Sequence, residues 1–314
     1  MYRDKKISVV VPCHNEERQV GRVFDTMPNY VDSIVVIDDR STDRTIEVVK
    51  SRQAGDPRIV LIVHEQNQGV GGAIASGYKW SRDNDIDVAV VMAGDGQMDP
   101  DDMPALLDAV IVDGVNYAKG NRLLHQQVVD IPRSRLIGNV ILSFLTKIAS
   151  GYWHVADSQT GYAAIDKTAL RVVDWDKMYK RYGQPNDLLV TLNVFQFKVR
   201  DVPVRPVYNI GEVSKLKIQR VVFTISRLLV RKFLWRMKER YIIRDFHPLV
   251  LFYFLAGMLG VLAVIFFIRL IVLWIVQGEA PLLTAIALMF LTSLSLNSAF
   301  FAMYLDMEAN RHLR

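Results

Sequence analysis

Two stretches near the C-terminus carry no charge at all: PLVLFYFLAGMLGVLAVIFFI, residues 248–268, and APLLTAIALMFLTSLSLNSAFFAMYL, residues 280–305. A helix rises about 1.5 Å per residue and a bilayer's hydrocarbon core is about 30 Å thick, so each run is long enough to cross it. Core helices of soluble proteins keep a polar face and these runs have none, which predicts a transmembrane hairpin. Arg269 lies between the first run and its continuation LIVLWIV. It is expected to snorkel or to pair with a polar group of the second helix such as Asn297. The link QGEAP carries only Glu279, whereas basic residues crowd RLLVRKFLWRMKERYIIR, residues 227–244, and the final RHLR. The positive-inside rule then places both termini in the cytoplasm and the hairpin tip outside, in a cell (inner) membrane.

The hydrophobic content of 51% is high mainly because of those spans. The N-terminus, MYRDKKISVVV, enters a strand-like run at once and lacks a signal peptide's apolar region. The lone Cys13 excludes an intrachain disulfide and fits a reducing compartment. Much of the net charge of +5 comes from the basic stretch before the first span, so the charge points to a membrane surface and not to nucleic acid. There Ile218, Val221, Val222, Ile225, Leu228, Leu229, Phe233 and Met237 recur at helical spacing with Arg220, Arg227, Arg231 and Lys238 between them. This is the pattern of an amphipathic interfacial helix lying on anionic lipid.

Ahead of it, β-type runs alternate with amphipathic segments: ISVVVP, SIVVIDD, RIVLIVHE and VAVVMAGD are each followed by a helical stretch. That alternation predicts an α/β domain with a mainly parallel, Rossmann-like sheet. The chain divides as a catalytic domain over 1–217, basic amphipathic juxtamembrane helices over 218–246, and a two-helix transmembrane hairpin with a cytoplasmic tail over 247–314. Ligands of such sheets bind beyond the carboxyl ends of the strands. The polar clusters lie there: PCHNEE, DDRSTDRT, NQGVGG and GDGQMD follow the four strands in turn. Turn chemistry explains any one of them but not all four on one rim. GVGGAIASG lacks the dinucleotide spacing and no P-loop is present, although a glycine-rich helix start at Gly71 still lets backbone N–H groups approach an anion.

VVVPCHNEE, VVIDDRSTDRT, NQGVGGAIASG and GDGQMDP, in this order, resemble glycosyltransferase family 2. The chain is most similar to the polyprenyl-phosphate branch, with dolichyl-phosphate mannose synthases and bacterial polyprenyl-phosphate glucosyltransferases. The resemblance covers roughly residues 7–217 and implies a GT-A catalytic fold. It implies that Pro12, Asn15 and Glu16 line the base and ribose pocket, and that Asp38 and Asp39 contact base and ribose, as carboxylates accept from ring N–H and hydroxyl donors. Gly71 and Asp95 complete the nucleotide site, while Asp43 is expected only to cap the next helix. The family's D-x-D metal motif has Ala93 in its first position here, leaving Asp95 with Gln97 to hold Mg²⁺ or Mn²⁺ beside the donor diphosphate, and Asp99 as a compensating ligand.

GNR resembles the family's G-[ST]-R element, so Arg122, with Arg133 and Arg135 of IPRSRLIGN, is assigned to the acceptor phosphate. DSQTGYAAI resembles the D-x-x-x-G-[FY] segment beside the reacting sugar. Asp157 is therefore the first candidate for base or acceptor-orienting carboxylate, and Asp187 of GQPNDLL is the second. GEVSKLKI resembles the G-x-S-K-L segment with one extra residue, and implies that Lys215 neutralises donor or acceptor phosphate. The implied reaction is inverting transfer of a hexose from a nucleotide sugar, UDP-glucose first and GDP-mannose second, to an undecaprenyl or dolichyl phosphate. Homo-oligomerisation through the membrane helices is expected from relatives. A processive polysaccharide synthase would need Q-x-x-R-W, which is missing; a non-catalytic nucleotide-sugar-binding scaffold is the alternative that Ala93 suggests.

Overall fold

A computed structural model describes residues 1–124, 133–205 and 218–314, and side chains outside 124–139 and 206–222. Contacts divide the chain into a first unit, 1–233 with 313–314, and a second, 234–312.

In the first unit the β-branched runs form strands β1 (Ile7–Cys13), β2 (Ser33–Asp38), β3 (Ile59–Val63) and β4 (Val88–Val91). Three further strands follow, β5 (Tyr117–Asn121), β6 (Ala163–Asp166) and β7 (Val199–Pro203). Among the described residues all seven form one sheet in the order β3-β2-β1-β4-β6-β5-β7. β1 to β4 are parallel to one another and β5 is parallel to β7, while β6 runs antiparallel between β4 and β5. The mainly parallel sheet read from the sequence is therefore present, with one reversed strand added.

Successive strand residues point to opposite faces, and the core divides accordingly. Val9, Val11, Ile34, Val36 and Val90 pack with Val20, Val23, Leu106 and Leu107 of helices α1 (Val20–Asp25) and α4 (Met103–Ile111). Val10, Val35, Ile37, Ala89 and Val91 pack on the other face. Their partners there are α3 (Val70–Asp83), α6 (Lys167–Val172) and α7 (Gln184–Val194). Helices α2 (Thr45–Gln53) and α5 (Arg133–Ser150) complete the domain. A sheet covered on both faces explains why its first strands read as unbroken apolar runs.

Helix α8 (Ile218–Lys238) carries the basic amphipathic stretch. Its apolar stripe is turned toward protein at Ile225, Leu228 and Leu229, where the sequence reading had placed lipid. Leu228 packs so closely on α7's start that a Cβ on Gly183 would lie 2.7 Å from its Cδ2. The exposed face mixes Phe223 and Val230 with Arg227 and Arg231.

The second unit holds α9 (Leu249–Gln277) and α10 (Leu282–Ala309), both long and apolar enough to cross a membrane. Only 11% of the most apolar window of each is buried, unlike core helices of a soluble fold. Small residues, Ala256 and Ala263 on α9 and Ser298 and Ala302 on α10, are among the few buried in the pair, as close helix packing favours, and Ser295 Oγ donates to the Ala256 carbonyl at 2.8 Å. The expected Arg269–Asn297 pair does not form: both side chains are exposed. Counted from the hairpin tip, Arg269 stands about 12 Å down its helix and Asn297 about 22 Å.

Arg236, fully buried, grips fully buried Asp306 through Nη1–Oδ1 at 3.0 Å and Nη2–Oδ2 at 2.9 Å. Tyr241 donates its hydroxyl to the same carboxylate at 3.0 Å, and Arg240 is held by Asn310 at 2.7 Å.

Candidate active site

The donor half of the rim is built by tying strand ends together. Asn15 adopts φ 59°, a left-handed conformation that Asn tolerates. Its N–H donates to Ser41 Oγ at 2.9 Å and its Oδ1 accepts from the Thr42 N–H at 2.8 Å. The Glu16 N–H donates to Thr45 Oγ1 at 2.8 Å, so the loops after β1 and β2 are tied to each other. Arg44, not Asp43, is the N-cap of helix α2; Asp43 stands one residue earlier and accepts from the first helical N–H, Thr45, at 3.0 Å.

Asp38 and Asp39 have different environments. Asp38 Oδ1 accepts from the Ser41 N–H at 2.9 Å, whereas its buried Oδ2 has no hydrogen-bond partner among the described residues. Both oxygens of Asp39 are engaged by the chain itself. Oδ1 meets His64 Nδ1 at 2.8 Å and the Gln68 N–H at 2.7 Å, and Oδ2 takes the Gly69 N–H at 2.7 Å. Asp39 thus clamps the turn into α3, where Gly69 has φ +83°.

Gly71 allows a close approach, and in this structure the chain's own backbone makes it. A Cβ there would lie 2.3 Å from the Tyr179 carbonyl oxygen, and the neighbouring Gly72 N–H donates to the Lys180 carbonyl at 3.1 Å.

After β4, Asp95 Oδ1 accepts from the Gln97 N–H at 3.0 Å. Asp99 turns to its own helix and to a cation: Oδ1 takes the Asp101 N–H at 2.9 Å and Oδ2 pairs with Arg205 at 3.2 Å. Among the described residues no three His, Cys, Asp or Glu side chains form a metal cluster. Asp95 and Gln97 offer hard oxygen donors that fit a divalent cation whose remaining ligands come from a diphosphate and water. Cys13 shows how closely the strand ends converge. Burial pushes its thiol well up, and the carboxylates of Glu16, Asp38, Asp95 and Asp43 push it further.

On the other half of the rim, Arg122 and Asp157, assigned separately in the sequence, form a bidentate pair. Arg122 Nε donates to Oδ2 at 2.8 Å and Nη2 to Oδ1 at 3.1 Å. Burial alone would raise the Asp157 carboxyl, but Arg122's hydrogen bonds and charge, with the charge of Lys119, hold it below the usual range. Such a carboxylate orients and stabilises charge better than it removes protons.

Asp187 is buried at the start of α7. Its Oδ2 takes the Tyr179 N–H at 2.7 Å and its Oδ1 pairs with Lys232 of α8 at 2.5 Å. Arg133 and Arg135 open α5, but their side chains and all of Lys215 lie outside the described residues. Two residues absent from the sequence reading lie beside Asp157: Lys119 on β5, which is buried, and Asp201 on β7, which is half-buried. The sequence offered little signal for either, since the polar and small residues of NYAKGNR do not mark Lys119 as lying in a strand.

Carboxylates thus gather at the ends of β1, β2 and β4. Residues 8–173 match Glycosyl transferase family 2. The chain belongs to glycosyltransferase family 2. Among similar members, the UDP-N-acetylglucosamine–dolichyl-phosphate N-acetylglucosaminyltransferase of Methanococcus voltae is 32% identical over 66% of this chain and 87% of its own. The undecaprenyl-phosphate mannosyltransferase of Micrococcus luteus is 28% identical over 63% and 82%. A dolichyl-phosphate beta-glucosyltransferase of Trichomonas vaginalis is 24% identical over 74% and 76%. Glucosyl-3-phosphoglycerate synthase from Mycobacterium tuberculosis, in complex with Mn²⁺, UDP and phosphoglyceric acid, shares the fold. Its TM-score is 0.55 at 19% identity over 74% of this chain and 78% of that one. This family 2 sheet, with its reversed β6, is accordingly a GT-A fold.

Proposed function

We propose that this family 2 member transfers a hexose from a UDP-sugar to the phosphate of a membrane polyprenol, with inversion, on the cytoplasmic face. The observation that carries the reading is Asp38 Oδ2, buried and without a hydrogen-bond partner among the described residues. A buried carboxylate oxygen without a partner is costly, and a nucleotide's ring N–H or ribose hydroxyl supplies the missing donor. Asn15 and Glu16 shape the same pocket, while Asp39 and Gly71 hold its walls.

Attack by a phosphate oxygen on the anomeric carbon forms one C–O bond as the bond to the nucleoside diphosphate breaks. With a second pKa about 6, a lipid phosphate is already anionic near neutral pH, so it needs positioning more than deprotonation. Asp157, fixed by Arg122, serves as the orienting carboxylate. A divalent cation at Asp95 and Gln97 would supply charge neutralisation for the leaving diphosphate. Lys215, Arg133 and Arg135 are proposed for the acceptor phosphate. The two apolar helices keep the isoprenoid tail in lipid, and the positive-inside pattern sets the cytoplasmic orientation.

The named substrates of the relatives support a lipid-phosphate acceptor and, through the Methanococcus enzyme, a uridine donor. Glucose and N-acetylglucosamine are the two sugars proposed. The test is transfer from labelled UDP-glucose, UDP-N-acetylglucosamine and GDP-mannose to polyprenyl phosphate by the full chain, with Mg²⁺ or Mn²⁺ and with EDTA. Lipid-soluble label from a UDP-sugar, abolished by EDTA and by Asp38→Ala, is expected. Transfer from GDP-mannose alone would reassign the donor, and no transfer from any donor would reject the reading.

A further inference from the structure

Lys119 is a lysine with no exposed surface, set in the middle of a β-sheet. Burying an ammonium is expensive unless charges and hydrogen bonds compensate it, and a strand interior has no need of one. Its register explains where the compensation comes from. Lys119 lies opposite Asp201 on β7 and opposite the uncharged Ala163 on β6. Its Nζ donates to the Thr160 carbonyl in the turn that begins with Asp157. The charged groups that act on it are Asp157, Asp201 and Arg122.

Asp201 has its own incomplete shell. Oδ2 accepts from the Ala156 N–H at 2.7 Å and from Asn121 Nδ2 at 2.6 Å, while buried Oδ1 has no hydrogen-bond partner among the described residues. Its charge also raises the phenol of Tyr117, after the larger effect of burial. Two carboxylates and two cations thus form a balanced group beneath the rim. Arg122 grips Asp157 directly, and Lys119 braces the turn from below at Thr160 while facing both carboxylates.

We infer that Lys119 is a positioning residue of the transfer reaction, holding the 157–160 turn and the Asp157 carboxylate in the geometry that orients the acceptor. The inference rests on the role proposed above for Asp157. Burial lowers the Lys119 ammonium from 10.5 to about 8, against the opposing pull of Asp157 and Asp201, so its charge is lost at mildly alkaline pH. Loss of that charge leaves two carboxylates facing each other with Arg122 alone to balance them.

The experiment is kcat and donor KM against pH for wild type, Lys119→Met and Asp201→Asn, with thermal midpoints recorded across the same range. Wild-type kcat should fall above pH about 8. Lys119→Met should lose that limb and lower kcat roughly 10- to 100-fold with little change in donor KM, as misplacement of an orienting group does. Asp201→Asn removes an anion that supports the ammonium, so its alkaline limb should move to lower pH. A Lys119→Met enzyme with unchanged kcat, or with the wild-type limb intact, overturns the inference. Should that variant not fold, an unmoved limb in Asp201→Asn overturns it instead.

The melting data separate this inference from the functional reading. The folded-state pKa of about 8 is below the unfolded 10.5, so in that window the unfolded chain binds more protons and stability rises with pH. The wild-type midpoint minus that of Lys119→Met should climb across it. If wild type transfers no sugar, the functional reading and the positioning role both fall, while a climbing difference still shows the buried ammonium. If wild type is active and Lys119→Met unaffected, only the positioning role falls.

Discussion

Arg122 holds Asp157 by two nearly parallel contacts, 2.8 and 3.1 Å, with Asp157 4% exposed and Arg122 28%. The arrangement joins the end of β5 to the turn beside the proposed sugar site. Arg122→Lys cannot reproduce the fork and should cut kcat on the order of 100-fold while leaving nucleotide binding in place. Single-turnover kinetics with separate nucleotide titration will check this. Unchanged kcat, or nucleotide affinity lost together with kcat, would contradict it.

The same pair has a pH signature. Asp157 is held below the ordinary carboxylate value of 3.8, so its contribution to stability is present above that value and is lost as pH falls below it. Asp157→Asn should therefore melt lower than wild type at pH 7, with the gap closing at acid pH. Its transfer rate should drop without creating an acid limb near neutrality.

In the membrane unit, removing one partner of the fully buried Arg236–Asp306 pair leaves a charge without compensation. Asp306→Ala should cost about 3–5 kcal/mol, whereas Arg236→Met with Asp306→Leu should recover most of it. Thermal unfolding in detergent measures both. Equal loss in the single and double variants would show that the charges are not what holds this unit together.

Asp187 binds both the Tyr179 N–H and Lys232. Lys232→Ala removes one of these contacts and Asp187→Ala removes both, so the second should destabilise more, and a double-mutant cycle should show coupling of about 1 kcal/mol or more. Additive losses would mean that the docking of α8 on α7 depends on Leu228 and its apolar neighbours alone.

Gly71→Ala would place a methyl 2.3 Å from a backbone oxygen, which cannot swing away. A loss of about 1–3 kcal/mol is expected, with weaker nucleotide binding following from the displaced turn. A variant as stable as wild type would show that the 179–180 backbone yields.

The first four strands were legible because β-branched runs buried on both faces leave little else for ISVVVP or SIVVID to become. β5 and β6 were not, since YAKGN and AAID are short and carry polar or small residues whose strand character comes from neighbours in the sheet. The rim was readable as a set of strand-end clusters, yet partners within it were not. Nothing in the spacing of Arg122 and Asp157 says that they meet, nor that Asp39 and Asp187 spend their carboxylates on Gly69 and Lys232. The apolar stripe of α8 misled for a related reason: helical periodicity shows that Ile225 and Leu228 share a face but not whether protein or lipid covers it.

The central claim is that the acceptor is the phosphate of a polyprenyl lipid. It is tested most directly by mass spectrometry and NMR of the organic-phase product made by the purified full chain from polyprenyl phosphate and a UDP-sugar. The account predicts a lipid monophosphate carrying one added sugar, with the anomeric configuration opposite to that of the donor. Water-soluble free sugar, a polymer, or retained configuration would contradict it.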